Sequence, residues 1–581
     1  LGLKTLSVID RAVALIRRAD PDFVFAVAGL DDAETYAMLA RGETVGVFQL
    51  ESTGMRDAVR QIGPDCIDDI IAVVALYRPG PMDNIPKYCN VKKGHEEPDY
   101  PHPDLEPILK ETYGIIVYQE QVMEIAKVLS GYSLGEADLL RRAMGKKIRA
   151  EMDAQKARFV EGAEQRGIER GQAERIFELV ARFADYGFNK SHAACYAVIA
   201  YQTAWLKRHH PAEFLAASMT FDMHNTDKLG VFMREAARLD VKVRGPDINR
   251  TQAEFVVEDG AIVYSLSALK NVGRAAVEHL VEVREKGGPF ASIADFARRI
   301  DPHIVNRRAL EAMARAGAFD ALEPNRARVL AAVDAILQLA QRTREDMAVG
   351  QASLFGGDAA AAPEELPLPD VAPWDGVRKL AEEFAAVGFH LSGHPLDDFM
   401  AALKRIGVVE YAQVCERLKH EKQLAVRMAA VVTMKRERRS QSGNLYAFVG
   451  FSDPSGQFEA VCFSDVLNAH RELLEPESAV LLKVEATAEN DEVKLRINGV
   501  ESLTERARAI AGGLEIHLRE TAGLPRIADM LQNGGKSPVR LVLHSPRLGR
   551  VDMLLGERFS VSPEIKAALK TLPGVLDVRD L

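Results

Sequence analysis

Tyr186-Gly187-Phe188-Asn189-Lys190-Ser191-His192 is a polar heptapeptide that precedes an apolar segment at residues 193–206. Large apolar side chains fall on every side of a helix drawn through that segment, and a helix of this kind is buried. Ser191 is the predicted N-cap of the helix. The free N–H groups of the first turn would face Lys190 and His192, which predicts an anion site of the kind that binds phosphate. From the residues alone, a loop that only caps a core helix is the alternative.

The composition is that of a multidomain globular protein. The 581 residues exceed a single hydrophobic core and predict about three to five domains. No apolar run approaches the ~18 residues that span a bilayer, and no signal peptide is evident. Five scattered cysteines fit a reducing, cytoplasmic setting and do not form the pattern of a cysteine-based zinc site. The net charge of −10 predicts that nucleic acid is bound in local basic patches.

The heptapeptide, followed by Ala-x-x-Tyr-Ala, resembles the fingers-domain signature of the replicative alpha subunit of bacterial DNA polymerase III, a C-family enzyme. The resemblance implies that this loop faces the incoming dNTP and that its contacts are Asn189, Lys190, Ser191 and His192. Residues 45–55, 72–81 and 112–123 are similar to further fingers motifs of the family. Arg78 precedes a Pro-Gly-Pro break and is predicted to reach the nucleotide cleft. The alternative is a guanidinium that extends to solvent at a helix end.

A second basic cluster, within residues 139–147, comprises Arg141, Arg142, Lys146 and Lys147. Arg142 and Lys146 lie four apart, so they share one face of a helix. Like charges at this spacing repel unless an anion offsets them, and Arg and Lys are the side chains that bind phosphate. The resemblance implies a helix that contacts the triphosphate. A solvated basic face, balanced by the acidic residues at 151 and 153, is the alternative, and the sequence has no P-loop consensus.

The resemblance also implies where the metal chemistry of the parent enzyme lies. Residues 1–6 are similar to a peptide that follows a palm strand, so the aspartates that hold two Mg²⁺ ions are expected upstream of Leu1. Asp20-Pro21-Asp22 is interpreted as a turn, because a proline between two carboxylates is unsuited to a central strand. No catalytic residue and no metal ligand is predicted within this segment, and the segment alone is predicted to be inactive.

Residues 269–273 resemble a helix-hairpin-helix motif, whose tight turn offers backbone N–H groups to a DNA phosphate without reading sequence. Asn271 stands at the usual first glycine and tolerates left-handed geometry. Residues 304–322 resemble the second, looser copy of the family. The predicted DNA contacts of both copies are Lys270, Asn271, Gly273, Arg274, Arg307 and Arg308. A purely structural turn is the alternative for each copy.

Glycine, alanine and proline are frequent in residues 343–383, which are predicted to form a linker. Within it, Gln351-Ala352-Ser353-Leu354-Phe355 resembles the peptide by which this family grips the bacterial sliding clamp. The predicted clamp contacts are Gln351, Ser353, Leu354 and Phe355, since two adjacent apolar side chains in a linker have little local core to enter. Packing of the apolar pair onto the preceding helix is the alternative. His390 and His394 lie four apart without a third ligand and are not predicted to bind metal.

Residues 424–503 show short alternating strands separated by turn sequences. Five strands with one inserted helix predict an OB-fold β-barrel, a common binder of single strands. A loop joining two strands is predicted to carry the residues that follow the DNA backbone, Lys435, Arg436, Arg438 and Arg439. Tyr446 and Phe448 are candidates for base stacking, and Phe448 equally suits the core. Residues 514–581 predict a small α/β domain that resembles the tau-contacting tail of the family.

The fold is thus predicted to be multidomain α+β, with mostly helical fingers, a helix-hairpin-helix clamp-binding region, an OB-fold barrel and a small C-terminal α/β domain. The expected domains are a palm remnant (1–10), the fingers (11–225), a helix-hairpin-helix and clamp-binding domain (226–342), a linker with the clamp-binding peptide and short helices (343–423), the OB-fold (424–503) and a tau-contacting C-terminal domain (504–581).

The resemblance implies part of a subunit that performs template-directed 5′–3′ DNA synthesis from dNTPs in chromosomal replication, with Mg²⁺ held outside this segment. Its expected partners are primer-template DNA, single-stranded template, dNTPs, the sliding clamp, the tau clamp-loader subunit and, through the N-terminal part, a proofreading exonuclease. No membrane is expected, and the expected location is the bacterial cytoplasm. One alternative is the error-prone translesion relative, which commonly has a Pro-Glu-Ser-His-like loop at positions 189–192. The other is a non-catalytic scaffold that binds DNA and the clamp.

Overall fold

The structure is a computed structural model that describes residues 3–25, 30–146, 149–184, 187–348, 366–418, 421–439, 444–489, 492–503, 513–545, 549–561, 563–570 and 572–581. The chain divides into two compact units. The first comprises Leu1–Asp222, Glu235–Lys242 and Val257–Ile262, and the second comprises Met223–Arg234, Val243–Val256 and Val263–Leu581. The six predicted domains are finer than this division and stay predictions.

The first unit is mostly helical. Its α-helices are Lys4–Ala19, Ala33–Ala40, Thr53–Ile62, Ile67–Leu76, Ile85–Lys92, Glu106–Leu109, Gln119–Ser130, Leu134–Lys146, Arg149–Glu164, Arg170–Ala184, Lys190–His209 and Pro211–Phe221. Short 3₁₀ turns lie at Pro81–Asn84, Pro103–Leu105 and Lys110–Thr112. Helix Thr226–Arg238 contributes residues to both units. Within the part of the chain that the structure describes, no helix combines the length and the apolar character needed to cross a bilayer.

The predicted apolar segment lies in the helix Lys190–His209, here called the central helix. Its inward face consists mainly of small side chains, and the buried residues include Ala193, Ala197, Ala200, Tyr201 and Ala204. Small residues at this spacing let the central helix lie against the helix Ile67–Leu76. The prediction of burial on every side was wrong at Cys195, which is exposed, as are Ser191 and His192 of the preceding polar loop. These residues are exposed because only the alanine face of the central helix packs closely against the helix Ile67–Leu76.

Asn189, and not the predicted Ser191, is the N-cap of the central helix. Asn189 has an extended backbone (φ −70°, ψ 117°), and its Oδ1 accepts a hydrogen bond of 2.8 Å from the N–H of His192. Ser191 therefore lies inside the first turn. Both residue types cap helices well. Asn189 has the additional partner, because its side-chain amide donates to Oε1 of Glu120 at 2.9 Å.

A second hydrophobic cluster of the first unit surrounds the helices Gln119–Ser130 and Arg149–Glu164. Phe159 and Phe177 pack within it with their ring centroids 5.5 Å apart. A Cβ atom at Gly162 would overlap the carbonyl oxygen of Ser130, so glycine is required where these two helices meet. The close packing fixes the helix Gln119–Ser130, whose first turn reaches the candidate site.

The second unit begins with helices and ends with two sheet-containing parts. Its α-helices ahead of the barrel are Arg274–Gly287, Ile293–Arg299, Arg307–Ala316, Arg326–Ala331, Val333–Ala348, Gly376–Val387, Asp397–Arg405 and Tyr411–Arg417. A 3₁₀ turn lies at Leu266–Ala268, and short strands lie at Val243–Arg244, Val256–Glu258 and Ala261–Val263. The chain is therefore a multidomain α+β protein with many helices, as predicted.

Five strands of the second unit form a closed barrel in the order Gln423–Arg439, Leu445–Asp453, Gly456–Cys462, Glu492–Ser502 and Ala479–Glu489. The helix Ser464–His470 and a 3₁₀ turn at Arg471–Leu474 lie in the chain between the strands Gly456–Cys462 and Ala479–Glu489. Alternate side chains fill the interior, as Ala447, Val449 and Phe451 do on the second strand. Phe448 consequently faces outward and is half-buried, so it is not a core residue.

The C-terminal part of the second unit is a four-stranded sheet in the order Gly549–Leu554, Val539–Ser545, Leu514–Leu518 and Val575–Asp580. The two middle strands are parallel, and both outer strands are antiparallel to their neighbours. The remaining elements are the helices Leu524–Met530 and Pro563–Lys570 and the strand pair Gln532–Ser537 and Phe559–Ser560.

Candidate functional site

Two segments that are distant in the sequence meet at the start of the central helix. The N–H of Phe188 donates to the carbonyl oxygen of Val117 at 3.1 Å, and the N–H of Gln119 donates to the carbonyl oxygen of Phe188 at 2.9 Å. The side-chain amide of Gln119 also donates to the carbonyl oxygen of Gly187 at 3.1 Å. These bonds hold the heptapeptide from Gly187 onward against the fingers-like segment at 112–123. Tyr186 lies outside the described residues.

Arg78, predicted from its position before the Pro-Gly-Pro break to reach a nucleotide cleft, lies beside this loop. Its guanidinium carbon lies 4.4 Å from the ring centroid of Phe188, and its Nε donates to the carbonyl oxygen of Ala75 at 3.0 Å. Burial lowers the pKa of Arg78. Gly80 turns the chain away after Arg78 with a left-handed φ of 97°. The arginine therefore lies over the loop and does not extend into solvent.

Carboxylates occupy the positions that the sequence predicts for phosphate. Oε2 of Glu120 accepts the backbone N–H of Lys190 at 2.9 Å, while Oε1 accepts the amide of Asn189. Nζ of Lys190 donates to Oε2 of Glu111 at 2.6 Å and lies 5.4 Å from the ring centroid of Tyr118. The N-terminus of the central helix is an anion site, and side chains of this chain fill it.

The basic helix Leu134–Lys146 is neutralised in a similar way. Arg141 and Arg142 both pair with the carboxylate of Asp138, each at 2.8 Å. The hydrogen bond from Arg141 is the main cause of the lowered pKa of Asp138. Arg141 also reaches Oε1 of Gln119 at 3.5 Å, which joins this helix to the loop. The balancing acid lies one turn upstream and not at 151 or 153. Lys147 and the side chain of Lys146 lie outside the described part of the structure.

His192 and Ser191 complete the exposed edge. The ring of His192 lies between two aromatic rings, with centroids 5.5 Å from Phe188 and 4.4 Å from Tyr196. Tyr196 in turn lies 5.2 Å from Phe48 of the segment 45–55. The structure therefore brings together predicted nucleotide contacts from separate segments, namely Arg78, Arg141, Arg142, Asn189, Lys190, Ser191 and His192.

Lys207 is a residue whose importance the sequence analysis missed. It is fully buried, and its Nζ lies 2.6 Å from Oε1 of Glu235. The same ammonium donates to the carbonyl oxygens of Glu43 and Val45, each at 2.8 Å. Burial lowers the pKa of Lys207 to about 8. The available signal was the helical period, because Lys207 lies four residues after the buried Thr203 and shares its face.

The first hairpin of the second unit has the predicted geometry. Asn271 has a left-handed φ of 65°, as expected for a residue in place of the first glycine. Gly273 caps the helix Arg274–Gly287 in extended backbone, so that glycine needs no special freedom. Lys270 and Asn271 line a cavity of about 300 Å³, together with Arg308, Glu311, Ala312, Arg315, Ala385 and Ala386. The two predicted hairpin copies thus contribute to one cavity.

The basic residues predicted for the two hairpins divide into two kinds. Arg274 pairs with Glu278 at 2.7 Å, and Arg307 pairs with Glu311 at 2.8 Å. Lys270 and Arg308 form no ion pair among the residues that the structure describes. Burial lowers the pKa of Lys270, whose ammonium lies 5.9 Å from the ring centroid of Phe384. Of the four predicted cations, the two without a carboxylate partner, Lys270 and Arg308, line the cavity, next to Arg315, which pairs with Glu382.

The basic residues of the barrel lie in the strand Gln423–Arg439, and the prediction that they lie in a loop was wrong. Arg436 pairs in register with Phe448, and Arg438 with Tyr446, so these four side chains share one face. The guanidinium carbon of Arg438 lies 5.5 Å from the ring centroid of Phe448.

Lys435 projects from the other face of the strand, because successive side chains alternate. It forms an ion pair with Glu475 and lies 3.9 Å from Glu437. Arg439 stands opposite Leu445 at the last described position before the turn. Arg436 and Arg438 are therefore the cations that lie beside outward-facing rings.

The predicted clamp-binding residues Gln351, Ser353, Leu354 and Phe355 lie outside the described residues. His390 and His394 pack edge to face with their ring centroids 4.7 Å apart, and Nδ1 of His390 is buried without a hydrogen-bond partner among the described residues.

A metal-capable group of side chains does occur elsewhere in the described residues. It consists of Asp65, Cys66 and Asp69. The buried carboxylate of Asp69 already pairs with Lys92 and accepts the hydroxyl of Tyr88 at 3.1 Å. Burial raises the pKa of the Cys66 thiol to about 11, which disfavours the thiolate that binds metal. This group is accordingly an internally satisfied network.

Two family models match the chain. The model described as the bacterial DNA polymerase III alpha subunit finger domain matches residues 5–167, and the model described as a helix-hairpin-helix motif matches residues 240–329. The first covers the segments that carry Arg78, Glu120 and the helix Leu134–Lys146. The second covers both predicted hairpins.

Curated relatives match along nearly the whole chain. The DNA polymerase III subunit alpha of Caulobacter vibrioides is 47% identical over 587 residues, which cover 100% of this chain and 51% of the relative. The protein of the same name from Escherichia coli K12 is 39% identical over 97% of this chain and 50% of its own length. That of Thermus aquaticus is 39% identical over 94% of this chain and 45% of its own length.

The chain spans about half the length of the relatives it matches. The matched finger and helix-hairpin-helix segments occur in the order that the motifs predict. Over nearly its whole length, this chain is therefore similar to the bacterial DNA polymerase III alpha subunits, and its finger segment matches the model of their finger domain.

Proposed function

We propose that this chain is the part of a replicative DNA polymerase that positions the dNTP and the DNA for template-directed 5′–3′ synthesis. One observation supports this proposal above all others. Basic side chains from three separated segments, Arg78, Arg141 and Lys190, meet at the loop that starts the central helix. Their common environment is suited to an extended polyanion, because each offers a charged donor to a different part of the ligand.

The proposed role of this cluster is electrostatic positioning. Arg142 is 63% exposed in its side chain and is free to turn toward a triphosphate. His192 is exposed in the same first turn, whose N–H group at Lys190 is bonded to Glu120. Holding the α-phosphate in line with a primer 3′-hydroxyl lowers the barrier without a covalent step on the protein. Phosphate contacts carry no base identity, so these residues act on all four dNTPs alike.

The described residues do not fit a two-metal centre. Such a centre needs carboxylates that are free to bind two ions. In the group at Asp65, Cys66 and Asp69, the buried carboxylate is already neutralised by Lys92. We therefore derive no step through Mg²⁺ from these residues. The aspartates that would hold it are proposed to lie outside this segment, as the family resemblance implies.

The proposal is tested by Arg142→Ala in the complete polymerase subunit. We expect kcat/KM to fall about equally for every dNTP, by the ~1.5–3 kcal/mol of a charged contact. Arg158→Ala is the matched control, because Arg158 lies on a neighbouring helix, where it pairs with Glu136 and lies over Tyr132. Unchanged kinetics for Arg142→Ala, or a defect for a single base, would contradict a phosphate contact.

We further propose DNA contacts in the second unit. The cavity between Lys270 and Arg308 is suited to a backbone phosphate, since two unmatched cations line it. The barrel is proposed to be an OB-fold that binds single-stranded template on the face of Arg436, Arg438, Tyr446 and Phe448. Gln351, Ser353, Leu354 and Phe355 are proposed to bind the sliding clamp. Contacts of the C-terminal domain with tau, of the N-terminal part with an exonuclease, and a cytoplasmic location are proposed on the resemblance alone.

A second candidate function is a non-catalytic scaffold for DNA and the clamp. The observation that favours it is the satisfied state of the metal-capable group among the described residues. Primer extension by the complete polymerase subunit carrying Arg142→Ala separates the two functions, because only the role in positioning the dNTP predicts a lowered kcat/KM. We expect DNA binding without nucleotidyl transfer from this segment alone. Mg²⁺-dependent extension by the purified chain would contradict the prediction that the segment alone is inactive.

A further inference from the structure

Two glutamates from outside the central helix hold the donors at its start. Glu111 comes from the 3₁₀ turn Lys110–Thr112 and binds Nζ of Lys190. Glu120 comes from the first turn of the helix Gln119–Ser130 and binds the backbone N–H of Lys190. The two carboxylates therefore use different donors of the same residue.

The carboxylate of Glu120 binds donors in the way that a phosphoryl group would. Both of its oxygens accept hydrogen bonds of 2.9 Å, one from a backbone N–H and one from the amide of Asn189. Phosphate oxygens accept from the same kinds of donor at the N-terminus of a helix. A phosphoryl group and the Glu120 carboxylate cannot hold these donors at the same time.

The pairing is also easily opened. The side chains of Lys190 and Glu111 are 35% and 36% exposed, so water and ligands reach the pair. Ion pairs with this much exposure contribute little to stability. Glu111 therefore satisfies the Lys190 ammonium in the absence of ligand without fixing it permanently, while Glu120 satisfies the backbone N–H of the same residue.

We propose that Glu111 and Glu120 are carboxylate placeholders that the triphosphate displaces, so that these two residues set the affinity and the selectivity of the site for dNTPs. This inference rests on the proposed function. A ligand with several phosphoryl groups replaces both carboxylates at once, whereas a single phosphate replaces one. The glutamates thereby favour triphosphates over monophosphates and orthophosphate.

The test uses the 581-residue chain and inorganic tripolyphosphate in metal-free buffer, with binding measured by calorimetry. Glu111→Gln and Glu120→Gln remove the competing charge and keep the side-chain size. We expect each variant to bind tripolyphosphate about threefold to tenfold more tightly, as loss of a carboxylate near a helix terminus predicts. Glu178→Gln is the matched control, because Glu178 forms a similarly exposed pair with Lys156 at 3.1 Å. The control is expected to bind as the unaltered chain does.

Orthophosphate provides the selectivity measurement. The ratio of orthophosphate to tripolyphosphate dissociation constants should fall in the double variant E111Q/E120Q, because a bound single phosphate is no longer repelled by the carboxylate that it leaves in place. Thermal unfolding of each variant shows whether the chain remains folded. If Glu120→Gln lowers the melting temperature severely, Glu111→Gln still tests the proposal through the exposed Lys190 side chain.

The outcomes distinguish this inference from the proposed function. Weaker tripolyphosphate binding by Arg142→Ala with tighter binding by the glutamate variants supports both. Weaker binding by Arg142→Ala, with unchanged or weaker binding by both glutamate variants, overturns the placeholder role and leaves the phosphate site intact. Unchanged binding by Arg142→Ala and by Lys190→Ala would reject the phosphate site itself.

Discussion

The start of the central helix and the hairpin cavity are both basic, but they hold their charges differently. At the central helix, Lys190 faces Glu111, and Arg141 and Arg142 share Asp138. In the hairpin cavity, Lys270 and Arg308 have no ion pair within the described residues. Cations matched by flexible acids suit a ligand that is exchanged, since the acids return when it leaves. Unmatched cations on a rigid hairpin suit a ligand that binds without displacing any protein group.

The comparison predicts its largest effect in the hairpin cavity. The double variant K270A/R308A of this chain should lose about 3–6 kcal/mol of affinity for duplex DNA at low salt, because it removes two charged donors that contribute about 1.5–3 kcal/mol each. The slope of log K against log salt should become shallower by about 0.9 for each DNA phosphate that the variant no longer neutralises. Fluorescence anisotropy with a labelled duplex measures both quantities.

The matched control is R274A/R307A, which removes the same number of cations from the same two hairpins. Each of these arginines is already paired with glutamate, so its removal should change affinity far less. Equal losses in the two double variants would show that ion pairing does not distinguish the two groups of cations.

The buried histidines His390 and His394 of the second unit extend the comparison, because burial disfavours the charged form of both imidazoles. Burial lowers the pKa of His390 to about 4, although the charge of Glu383 acts in the opposite direction. Burial also lowers the pKa of His394 to about 3, and the neighbouring His390 adds to this effect. The unfolded chain binds these protons near pH 6.5. Stability should therefore be intact above pH 6.5 and should be lost as the pH falls toward 4, by about 2 kcal/mol per imidazole at pH 5.

Urea unfolding at pH 7.5 and pH 5 measures this loss. His390→Phe should remove its share of the pH dependence, and it leaves no donor unpaired because Nδ1 of His390 has no partner. His224→Phe, at an exposed position, should leave the pH dependence as it is. A variant His390→Phe that loses as much stability at pH 5 as the unaltered chain would contradict the assignment.

The barrel contains the same contrast within a single strand. Arg436→Ala with Arg438→Ala should weaken binding of an oligothymidylate and reduce the salt slope by about 0.7 for each phosphate no longer neutralised, since these cations lie beside Phe448 and Tyr446. Base stacking on such rings contributes about 1–3 kcal/mol per base. Lys435→Ala should leave binding unchanged, because Lys435 pairs with Glu475 on the opposite face. Binding that depends on Lys435 would reject the assignment of the DNA face.

The smallest predicted effect concerns Asp138. Asp138→Asn leaves Arg141 and Arg142 without their shared acid and should tighten tripolyphosphate binding only slightly, because exposed ion pairs are weak. Titration calorimetry beside Asp153→Asn, a position on the next helix, resolves the difference. Weaker binding by Asp138→Asn would mean that Asp138 orients the arginines and does not compete with the ligand.

Sequence patterns predicted the features that depend only on neighbouring residues, such as helix formation and turn conformation. The apolar segment at 193–206 became a helix, and Asn271 took the left-handed conformation that a hairpin requires. The alternation of the barrel strands followed from period two. If the alternation of side chains had been continued to residue 439, it would also have placed Lys435 on the opposite face from Arg436 and Arg438. The prediction of a loop was wrong because the strand was expected to end too early.

The carboxylate partners could not be predicted, because they depend on contacts between distant segments. Glu120 and Lys190 are 70 positions apart, and Glu111 and Lys190 are 79 apart. Ser191 and Asn189 are comparable caps by residue type, and Glu120 provides the added bond that distinguishes them. Lys207 is similar, since its buried partner Glu235 comes from a later part of the chain.

The buried ammonium of Lys207 gives the central helix a fixed end. Lys207 is bound to Glu235 and to two carbonyl oxygens, whereas Lys190 at the other end is held by exposed pairs. The roughly 17 residues between them correspond to about 26 Å of helix at about 1.5 Å per residue. A rotation of about 2° about the buried lysine would move the start of the helix by about 1 Å, which is the scale on which a misplaced catalytic group loses much of its effect. The fixed end therefore helps to hold the loop residues at the other end in place.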